Sequence, residues 1–399
     1  MPWQLRKLPD LDLSVDPMGD PVIACLFVDD GMPGVNPMRL HQPYYDHRPE
    51  VPNAVIAEFA DIVEKEGMAG KFSVVPYPIG LGRIDQEVPG VSDADVREFV
   101  RIVRDRLMPR FDITPEVLTH GPAIDPVTGY RTHLTEKEWG SAASAFEWRN
   151  YVRNAYTILA NVGIDATGCT SPSDTAADNE DAYALGISAA SADIGVDVPF
   201  YFLHMASSPA EGFPDVRVFR KGGGGVPARA VVSLPCSAND PLWPTQYGRH
   251  ARTDSLIGPG GEGGVLTAFG DSGVPVVIVT HWQSLYGNGA RQAPAVLGQI
   301  AERLRQRYER RLEWWSAGEL ARFAAGAHAA TVSVEGGVVA LELPLALKGA
   351  SIGLRPTPGH RLVTAPGAAA TPEGDGGLRL EGDFPAGRHV VASFVDAQA

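Results

Sequence analysis

The sequence predicts an α/β fold, a (β/α) barrel of seven or eight parallel strands, followed by a small all-β domain. Short apolar segments alternate with amphipathic helical segments from residue 22 to about residue 325, which is typical of βαβ units and a parallel sheet. Roughly seven or eight such repeats with mostly apolar strands favour a barrel over an open sheet. Polar residues that suit acid–base or metal chemistry follow several strands, and the functional groups of such barrels lie at the carboxyl ends of strands.

The strands are predicted from short apolar runs bounded by turn-forming residues. The first run covers residues 22–29 and passes directly into Asp30 and Gly31. The later strands are predicted at residues 71–76, 114–119, 164–170, 187–194, 200–205, 228–234, 274–280 and 312–315.

The helices are predicted from apolar residues that recur every three or four positions. The first helical pattern ends at Gly67 or Gly70, and a second helix opens at Ser92. A capping box at residues 135–138 predicts one long helix that continues to residue 159. Further helices are predicted at residues 178–185, at residues 295–308 and after a capping box at residues 316–319.

The chain divides into three parts. Residues 1–20 are polar and punctuated by proline, so we predict an extended lead-in to a barrel domain at residues 21–326. Residues 327–399 hold short strand patterns separated by Gly, Pro and Ala turns, which predicts a sandwich-like all-β domain. Phe384 and Phe394 are its only aromatic rings of the Phe, Tyr or Trp type, so we expect packing or homodimer formation rather than sugar stacking.

The composition is that of an ordinary globular protein, with 44% of the 399 residues hydrophobic and 21% charged. The formal net charge of −14 argues against nucleic acid or an anionic membrane surface as the main partner. The sequence shows neither an apolar run of membrane-spanning length nor an apolar signal core, so we expect a cytoplasmic protein. Cys25, Cys169 and Cys236 are far apart and odd in number, which predicts buried thiols rather than disulfides.

Two adjacent carboxylates, Asp29 and Asp30, stand where the first strand ends. Side chains alternate along a strand, so these two can point the same way only after a backbone turn, which Gly31 permits. Buried carboxylates are costly unless they are hydrogen-bonded, paired with cations or bound to a metal. The pair is therefore either a loop cap before glycine or a catalytic acid beside a metal ligand.

The ends of later strands hold further reactive residues, namely His120, Thr170, Asp240 and His281. A metal-dependent amide or ester hydrolase needs metal ligands, a base for the attacking water and an acid for the leaving group. Asp30, His120 and one further residue are candidates for the ligands. Asp29 and His281 are candidates for the base and the acid.

Residues 27–31, Phe-Val-Asp-Asp-Gly, resemble the first motif of the polysaccharide deacetylases of the NodB-homology type (carbohydrate esterase family 4-like). That motif is an aromatic residue followed by Asp-Asp-Gly, and the family's fold is a distorted (β/α) barrel with seven core strands. The resemblance implies that Asp29 is the base and Asp30 a metal ligand. Residues 116–121 match the first half of the family's second motif, which implies that His120 is a second ligand.

The second half of that motif differs from the family's pattern. The position of the family's second histidine is Ile124 here, and we predict the neighbouring Asp125 as the third ligand. One histidine and two aspartates still bind zinc, the ion we expect, or a harder divalent ion. The alternatives for the third ligand are His47, His133 and His204.

The remaining motifs match unevenly. Residues 277–281 resemble the family's fifth motif, an apolar strand that ends in the acid histidine, here His281. Residues 169–172 lack the arginine of the third motif, and residues 240–243 match the fourth only weakly. We therefore expect a divergent member of the family.

The resemblance implies a metal-dependent hydrolase that removes an acyl group, typically acetyl, from an ester or from an amide other than a peptide bond. The substrate would be a carbohydrate or a small amide, with Asp29 taking the water proton and His281 protonating the leaving group. Substrate contacts are expected from Tyr45, His47, Thr170, Trp282, Gln283 and Tyr286. For Tyr45, His47 and Trp282 a role in packing is the alternative.

Two other functions remain open from the sequence. A metal-dependent glycoside hydrolase of a related barrel needs a second carboxylate facing Asp29. A catalytically inactive barrel that binds a glycan is compatible with the incomplete second motif. The missing signal core favours a soluble acylated sugar, a glycolipid precursor or a non-sugar amide as substrate.

Overall fold

The structure is a computed structural model that describes residues 3–42 and 44–396. Its described residues divide into two compact units. The larger unit comprises Val22–Val218 and Val231–Leu320. The smaller unit comprises Phe219–Ala230 together with the described residues of Met1–Pro21 and Ala321–Ala399.

The strands follow one another along the chain in two groups. The first group ends with β13, the last strand that pairs in parallel. It consists of β1 (Gln4–Lys7), β2 (Leu11–Pro17), β3 (Val22–Gly31), β4 (Gly70–Val74), β5 (Phe111–Pro115), β6 (Pro122–Ile124), β7 (Arg131–Thr135), β8 (Gly168–Thr170), β9 (Phe200–Phe202), β10 (Asp215–Arg220), β11 (Arg229–Ser233), β12 (Val276–His281) and β13 (Leu312–Trp314). The remaining strands are β14 (Thr331–Glu335), β15 (Val338–Leu343), β16 (Leu347–Pro356), β17 (His360–Thr364), β18 (Ala370–Pro372), β19 (Leu378–Phe384) and β20 (Gly387–Asp396).

The helices lie between and after the parallel strands. They are α1 (Met38–His41), α2 (Asn53–Glu66), α3 (Asp93–Ile102), α4 (Glu136–Gly140), α5 (Ala145–Asn161), α6 (Glu180–Asp193), α7 (Thr253–Leu256), α8 (Val265–Asp271), α9 (Trp282–Tyr286), α10 (Ala293–Tyr308) and α11 (Ala317–Ala329). A π-helical turn, Val103–Leu107, prolongs α3.

The larger unit is built on parallel strands. One sheet has the order β12–β3–β4–β5, and β13 also pairs in parallel with β3. In a second sheet β8, β9 and β11 are parallel neighbours. Isolated parallel bridges, Glu116 to Thr170 and Ala238 to Ile278, link the two sheets. The predicted mixed α/β fold with parallel strands is confirmed, whereas closure of these two sheets into one barrel stays a prediction.

Strand β3 is the central element of the larger unit. All ten of its residues are buried, which suits a strand covered on both faces. Its register with β12 places His281 opposite Asp29 at the carboxyl end of the sheet. At Gly31 an added Cβ would lie 2.3 Å from the carbonyl oxygen of Ser73, so only glycine allows β3 to approach β4 here. The strand therefore brings its polar end into close contact with the neighbouring strand ends.

Two predicted elements differ from the structure. Residues 187–194, predicted as a strand, belong mostly to helix α6, because the small and apolar residues there continue the helical spacing of Tyr183 and Ala184. The helix predicted from residue 135 to residue 159 is two helices, α4 and α5. A second capping box, formed by Ser144 and Glu147, opens α5.

The smaller unit contains most of helix α11 and two antiparallel sheets, ordered β1–β2–β16–β19–β18 and β14–β15–β20–β17. The segment predicted as an extended lead-in therefore contains paired strands, since β2 pairs with β16 over its whole length. Leu11, Leu13 and Val15 are buried and alternate with less buried residues, the period-two pattern of a strand with one covered face. The prediction missed this because the apolar partner strand lies more than 300 residues away in the chain.

Within residues 3–42 and 44–396, no helix combines the length and the apolar character needed to cross a bilayer.

The role of β2 can be tested at Leu13, which is completely buried. The change Leu13→Ala should lower the free energy of unfolding by about 2–5 kcal/mol, because it leaves a cavity in the β2–β16 sheet. Denaturant unfolding followed by circular dichroism measures the change. The control Leu5→Ala, at a leucine of β1 that is 51% exposed, should alter stability by no more than about 0.5 kcal/mol. Equal effects at the two positions would contradict the assignment of β2 to the core.

Candidate active site

The site begins at the end of β3, where Asp29 and Asp30 are both buried. The backbone turn occurs at Asp30 itself, which has a φ of 66°. Aspartate tolerates this left-handed conformation better than most residues because its short polar side chain bonds locally. The turn gives the two carboxylates different neighbouring residues, so their ion pairs and hydrogen bonds differ.

Asp30, Glu116 and His120 form a buried group whose potential ligand atoms all lie within 4.8 Å of one another. The His120 Nε2 atom is 2.7 Å from Asp30 Oδ1. Gln283 donates a hydrogen bond of 2.6 Å to the other oxygen of Asp30. Glu116 accepts hydrogen bonds from the Asp30 backbone amide, at 3.2 Å, and from the Ser73 hydroxyl. Two carboxylates and an imidazole in this arrangement could hold a divalent metal ion.

The three side chains of this group strongly affect one another's ionisation. Burial and repulsion from Asp29 and Asp30 raise the pKa of Glu116 to about 8. Burial opposes ionisation of Asp30, but attraction to His120 outweighs it and holds the pKa of Asp30 below its usual range. Burial also opposes protonation of His120, yet Asp30 and Glu116 together raise the pKa of His120 to about 10. A divalent ion in the group would stabilise ionised carboxylates and a neutral imidazole, since ligands bind metals in those forms.

Asp29 is held by Lys71, a completely buried lysine on β4. The Lys71 Nζ atom donates to the carboxylate of Asp29 and, at 2.6 Å, to the hydroxyl of Thr170. The rings of Phe27 and Phe202 lie 5.2 Å and 5.1 Å from the same nitrogen. A buried ammonium and a buried carboxylate stabilise each other only as a pair, so Lys71 fixes the position of Asp29.

His281 is held by Asp240. Its Nδ1 atom lies 2.9 Å from one Asp240 oxygen, while the other oxygen accepts hydrogen bonds from the Thr280 hydroxyl and the Leu242 amide. Burial opposes protonation of the imidazole, but Asp240 and the charges of Asp30 and Asp29 outweigh it and raise the pKa of His281 to about 9. The arrangement therefore keeps His281 protonated near neutral pH, as a general acid requires.

These groups line one cavity of about 370 Å³. The reactive residues in its wall are Asp29, Asp30, Glu116, His120, His281 and Gln283. A second part of the wall is apolar and consists of Met38, Pro172, Phe202, Leu203, Met205, Trp243 and Val279. Further polar groups are supplied by Gln42, Ser171, Ser173, Asp174 and Asn239. A pocket of this size and mixed lining suits a small ligand or one unit of a larger one.

Asp125, predicted as the third ligand, is not part of the group. It lies in the turn between β6 and β7, where its carboxylate accepts hydrogen bonds of 2.8 Å from the amides of Val127 and Thr128. That is the ordinary role of an aspartate in an Asx turn. Glu116 stands with Asp30 and His120 instead. The alternatives His47, His133 and His204 also lie outside the group.

The predicted substrate contacts are only partly brought to the cavity. Gln283 lines it, whereas Thr170 lies behind Asp29 and bonds to Lys71. Trp282 is completely buried, with its ring 5.6 Å from that of Phe99. It therefore has the packing role that the sequence left open.

Three other predicted contacts also lie outside the cavity wall. Tyr286 is buried in the hydrophobic core. Tyr45 is 58% exposed, and its ring packs edge-on against Tyr247 at 4.9 Å. His47 is buried beside the same tyrosine, at 5.7 Å. The rings of Tyr45 and His47 thus pack the long loop after β3 against Tyr247.

The sequence interpretation missed Lys71 and the position of Glu116 beside Asp30 and His120. A single lysine inside the apolar run of β4 was the available signal, because a buried lysine needs a nearby carboxylate. In the sequence, Glu116 is the first residue of a motif whose histidine is the expected ligand. Both omissions concern contacts between strands that are distant in sequence.

Comparisons with known proteins give structural similarities only. No family model matches this chain, and no curated protein matches its sequence. Among solved structures, Agd3, described as a carbohydrate deacetylase, aligns with a TM-score of 0.44 and 11% identity. The alignment covers 94% of this chain and 66% of Agd3, so the chain spans just under two thirds of that protein.

Two further solved structures are similar over three quarters of this chain. A CE4 family pseudoenzyme from Bacillus anthracis aligns with a TM-score of 0.34 and 9% identity, over 75% of this chain and 65% of that one. The 4-alpha-glucanotransferase from Thermococcus litoralis aligns with a TM-score of 0.38 and 12% identity, over 75% and 40%. The matches thus include CE4 family proteins, the family that the sequence motifs resemble. At TM-scores below 0.5 they say nothing about the activity of this chain.

The pairing of Lys71 with Asp29 can be tested through stability. The change Lys71→Met should lower the free energy of unfolding by about 3–5 kcal/mol, because it leaves the buried Asp29 carboxylate without its cation. Adding Asp29→Asn should recover much of that loss, and denaturant unfolding of both variants measures it. As a control, Arg101→Met breaks an exposed ion pair with Glu98 and should change stability little. A double variant no more stable than Lys71→Met would argue against the pair.

Proposed function

We propose that the protein is a metal-dependent hydrolase that removes an acyl group, acetyl in the simplest case, from an amide or ester of a carbohydrate or small amide. One observation carries the proposal: a single cavity brings together the Asp30–Glu116–His120 group, Asp29 and His281. Lys71 holds Asp29 in place, and Asp240 holds His281 in place.

The donor set fits a divalent ion. Asp30, Glu116 and His120 offer two carboxylates and an imidazole, which suit zinc, our proposed ion, as well as harder divalent ions. Gln283 and Ser73 bond to the carboxylates of Asp30 and Glu116 and would orient them as ligands. Such an ion acts as a Lewis acid that polarises a carbonyl and makes a neighbouring water molecule more acidic.

The remaining residues move protons. Asp29 would accept the proton of the attacking water, in a position fixed by its contact with Lys71. His281 would donate a proton to the departing nitrogen or oxygen, since its raised pKa keeps it protonated at neutral pH. The base and the acid lie opposite each other in the β3–β12 register.

The lining of the cavity supports the choice of a carbohydrate substrate. Its polar groups, among them Gln42, Asn239 and Asp174, are suitable partners for sugar hydroxyls. The inactive glycan-binding alternative was motivated by the missing histidine at residue 124. Glu116 offers a third potential donor beside Asp30 and His120, which supports the metal-dependent hydrolase over that alternative.

The proposal is tested by measuring acetate release from a panel of N- and O-acetylated amino sugars and small amides. Protein purified without chelator should contain a divalent metal, and its activity should vanish on metal removal and return with zinc or cobalt. Glu116→Gln should weaken metal binding at least about tenfold, since it removes a ligand charge. Asp125→Asn is the matched control and should bind metal like the parent, because Asp125 only caps a turn. A parent protein without metal and without acetate release would overturn the proposal.

The acid role of His281 makes a prediction about pH. Only the protonated imidazole donates, so kcat/KM should fall as the pH rises through about 9. Asp240→Asn removes the carboxylate that raises the pKa of His281, so the alkaline limb should move to lower pH by roughly one unit. The pH profile of kcat/KM measures this. Asp254→Asn, at an exposed carboxylate paired with Arg303, should leave the profile unchanged. An unshifted limb in Asp240→Asn would argue against His281 as the acid.

A further inference from the structure

The loop between β5 and β6 carries both Glu116 and His120 in an uncommon backbone conformation. Val117 and His120 have φ values of 50° and 55°, in the left-handed region. A β-branched residue is strained there, and such strain persists only where surrounding contacts enforce it. Something outside the loop must therefore hold it in shape.

The Val117 amide donates to the carbonyl of Thr170, and the buried carboxylate of Glu136 contacts the next three residues. One of its oxygens accepts hydrogen bonds from the amides of Leu118, at 3.2 Å, and Thr119, at 2.8 Å. The other oxygen accepts from the amide of His120 at 2.9 Å. Three successive backbone amides thus converge on one anion, in the concave arrangement known as a nest.

Two further contacts tie Glu136 into the fold. The Tyr151 hydroxyl on α5 donates to the same carboxylate at 2.7 Å. The Glu136 backbone amide donates to the carbonyl of Gly121 at 2.8 Å, closing the base of the β6–β7 hairpin. The loop is therefore linked to helix α5 through one side chain.

The helix that begins at Glu136 does not use this carboxylate. Its capping box is formed by Thr135 and Glu138. A buried carboxylate is costly and persists only with full hydrogen bonding. The side chain of Glu136 therefore serves the loop, and within the Asp30–Glu116–His120 group it bonds to the backbone of His120.

We propose that Glu136 is a positioning residue that holds His120 against Asp30 and so sets the metal affinity of the group. This inference rests on the metal site of the proposed function. Residues that orient metal ligands typically change affinity by about 10- to 100-fold when they are altered. Glu136 acts through the His120 backbone, whereas most such partners bond to the ligand's side chain.

The test uses the full-length protein, freed of metal and titrated with cobalt(II). Glu136→Gln keeps the side-chain volume but replaces one acceptor oxygen by a donor, which opposes the amides it faces. We expect its cobalt affinity to fall at least about tenfold and the visible cobalt spectrum to change. The matched control Glu138→Gln, in the same helical turn, should show the parent's affinity and spectrum.

Each outcome of the cobalt titration either supports or overturns the inference about Glu136. Glu136→Gln with parental affinity and spectrum, even at a lower melting temperature, would reduce Glu136 to a structural role and overturn the inference. If the parent binds cobalt but releases no acetate, the proposed function fails while the affinity comparison still judges Glu136. If the parent binds no cobalt, the metal site and this inference fall together.

A second variant covers the case in which Glu136→Gln does not fold. Tyr151→Phe removes one donor to the carboxylate and keeps the packing of the ring. It should weaken cobalt binding by a smaller factor, and a parental affinity in this variant would then overturn the inference.

Discussion

The structure depends on one electrostatic constraint, which is that several carboxylates are buried where parallel apolar strands end. Asp29, Asp30 and Glu116 lie close together at that place, and their charges repel one another. A buried charge is stable only with a partner, so each carboxylate needs a contact from another part of the chain. Lys71 pairs with Asp29, and His120 and Gln283 bond to Asp30. Glu116 has its pKa raised to about 8, and a divalent cation would restore its charge.

The strand register turns this constraint into a functional arrangement. Because β12 pairs in parallel with β3, His281 stands opposite Asp29, and Asp240 holds it there. The bridge from Glu116 to Thr170 brings the second sheet to the same edge. Groups from several strands thus face one cavity. Asp29, Glu116 and His281 are supported from behind by Lys71, Ser73 and Asp240, which do not line it. In the proposed hydrolase these supporting contacts hold the base, the acid and the metal ligands at separate positions.

Sequence patterns predicted the parts of the site that are local in the chain. The buried strand before Asp29 and Asp30, and the strand that ends at His281, were recognised from apolar runs followed by polar residues. Asp125 was chosen as a ligand because it stands next to the position of a family histidine. The hairpin turn uses its carboxylate instead, a hydrogen-bonding requirement that the motif comparison did not weigh. Residues 1–20 were similarly judged by composition, although Leu11, Leu13 and Val15 alternate as a strand does.

The sequence by itself determined the alternation of strands and helices, the place where two carboxylates leave the first strand and the all-β character of the C-terminal part. Each of these follows from periodicity and from turn residues, which act over a few positions. Only the tertiary structure decided that Lys71 pairs with Asp29, that Glu116 joins Asp30 and His120, and that Glu136 braces the loop. The contacts of Lys71 with Asp29, of Glu116 with Asp30 and of Glu136 with His120 join residues between 16 and 86 positions apart. They exist because buried charges and buried amides must find partners across strands.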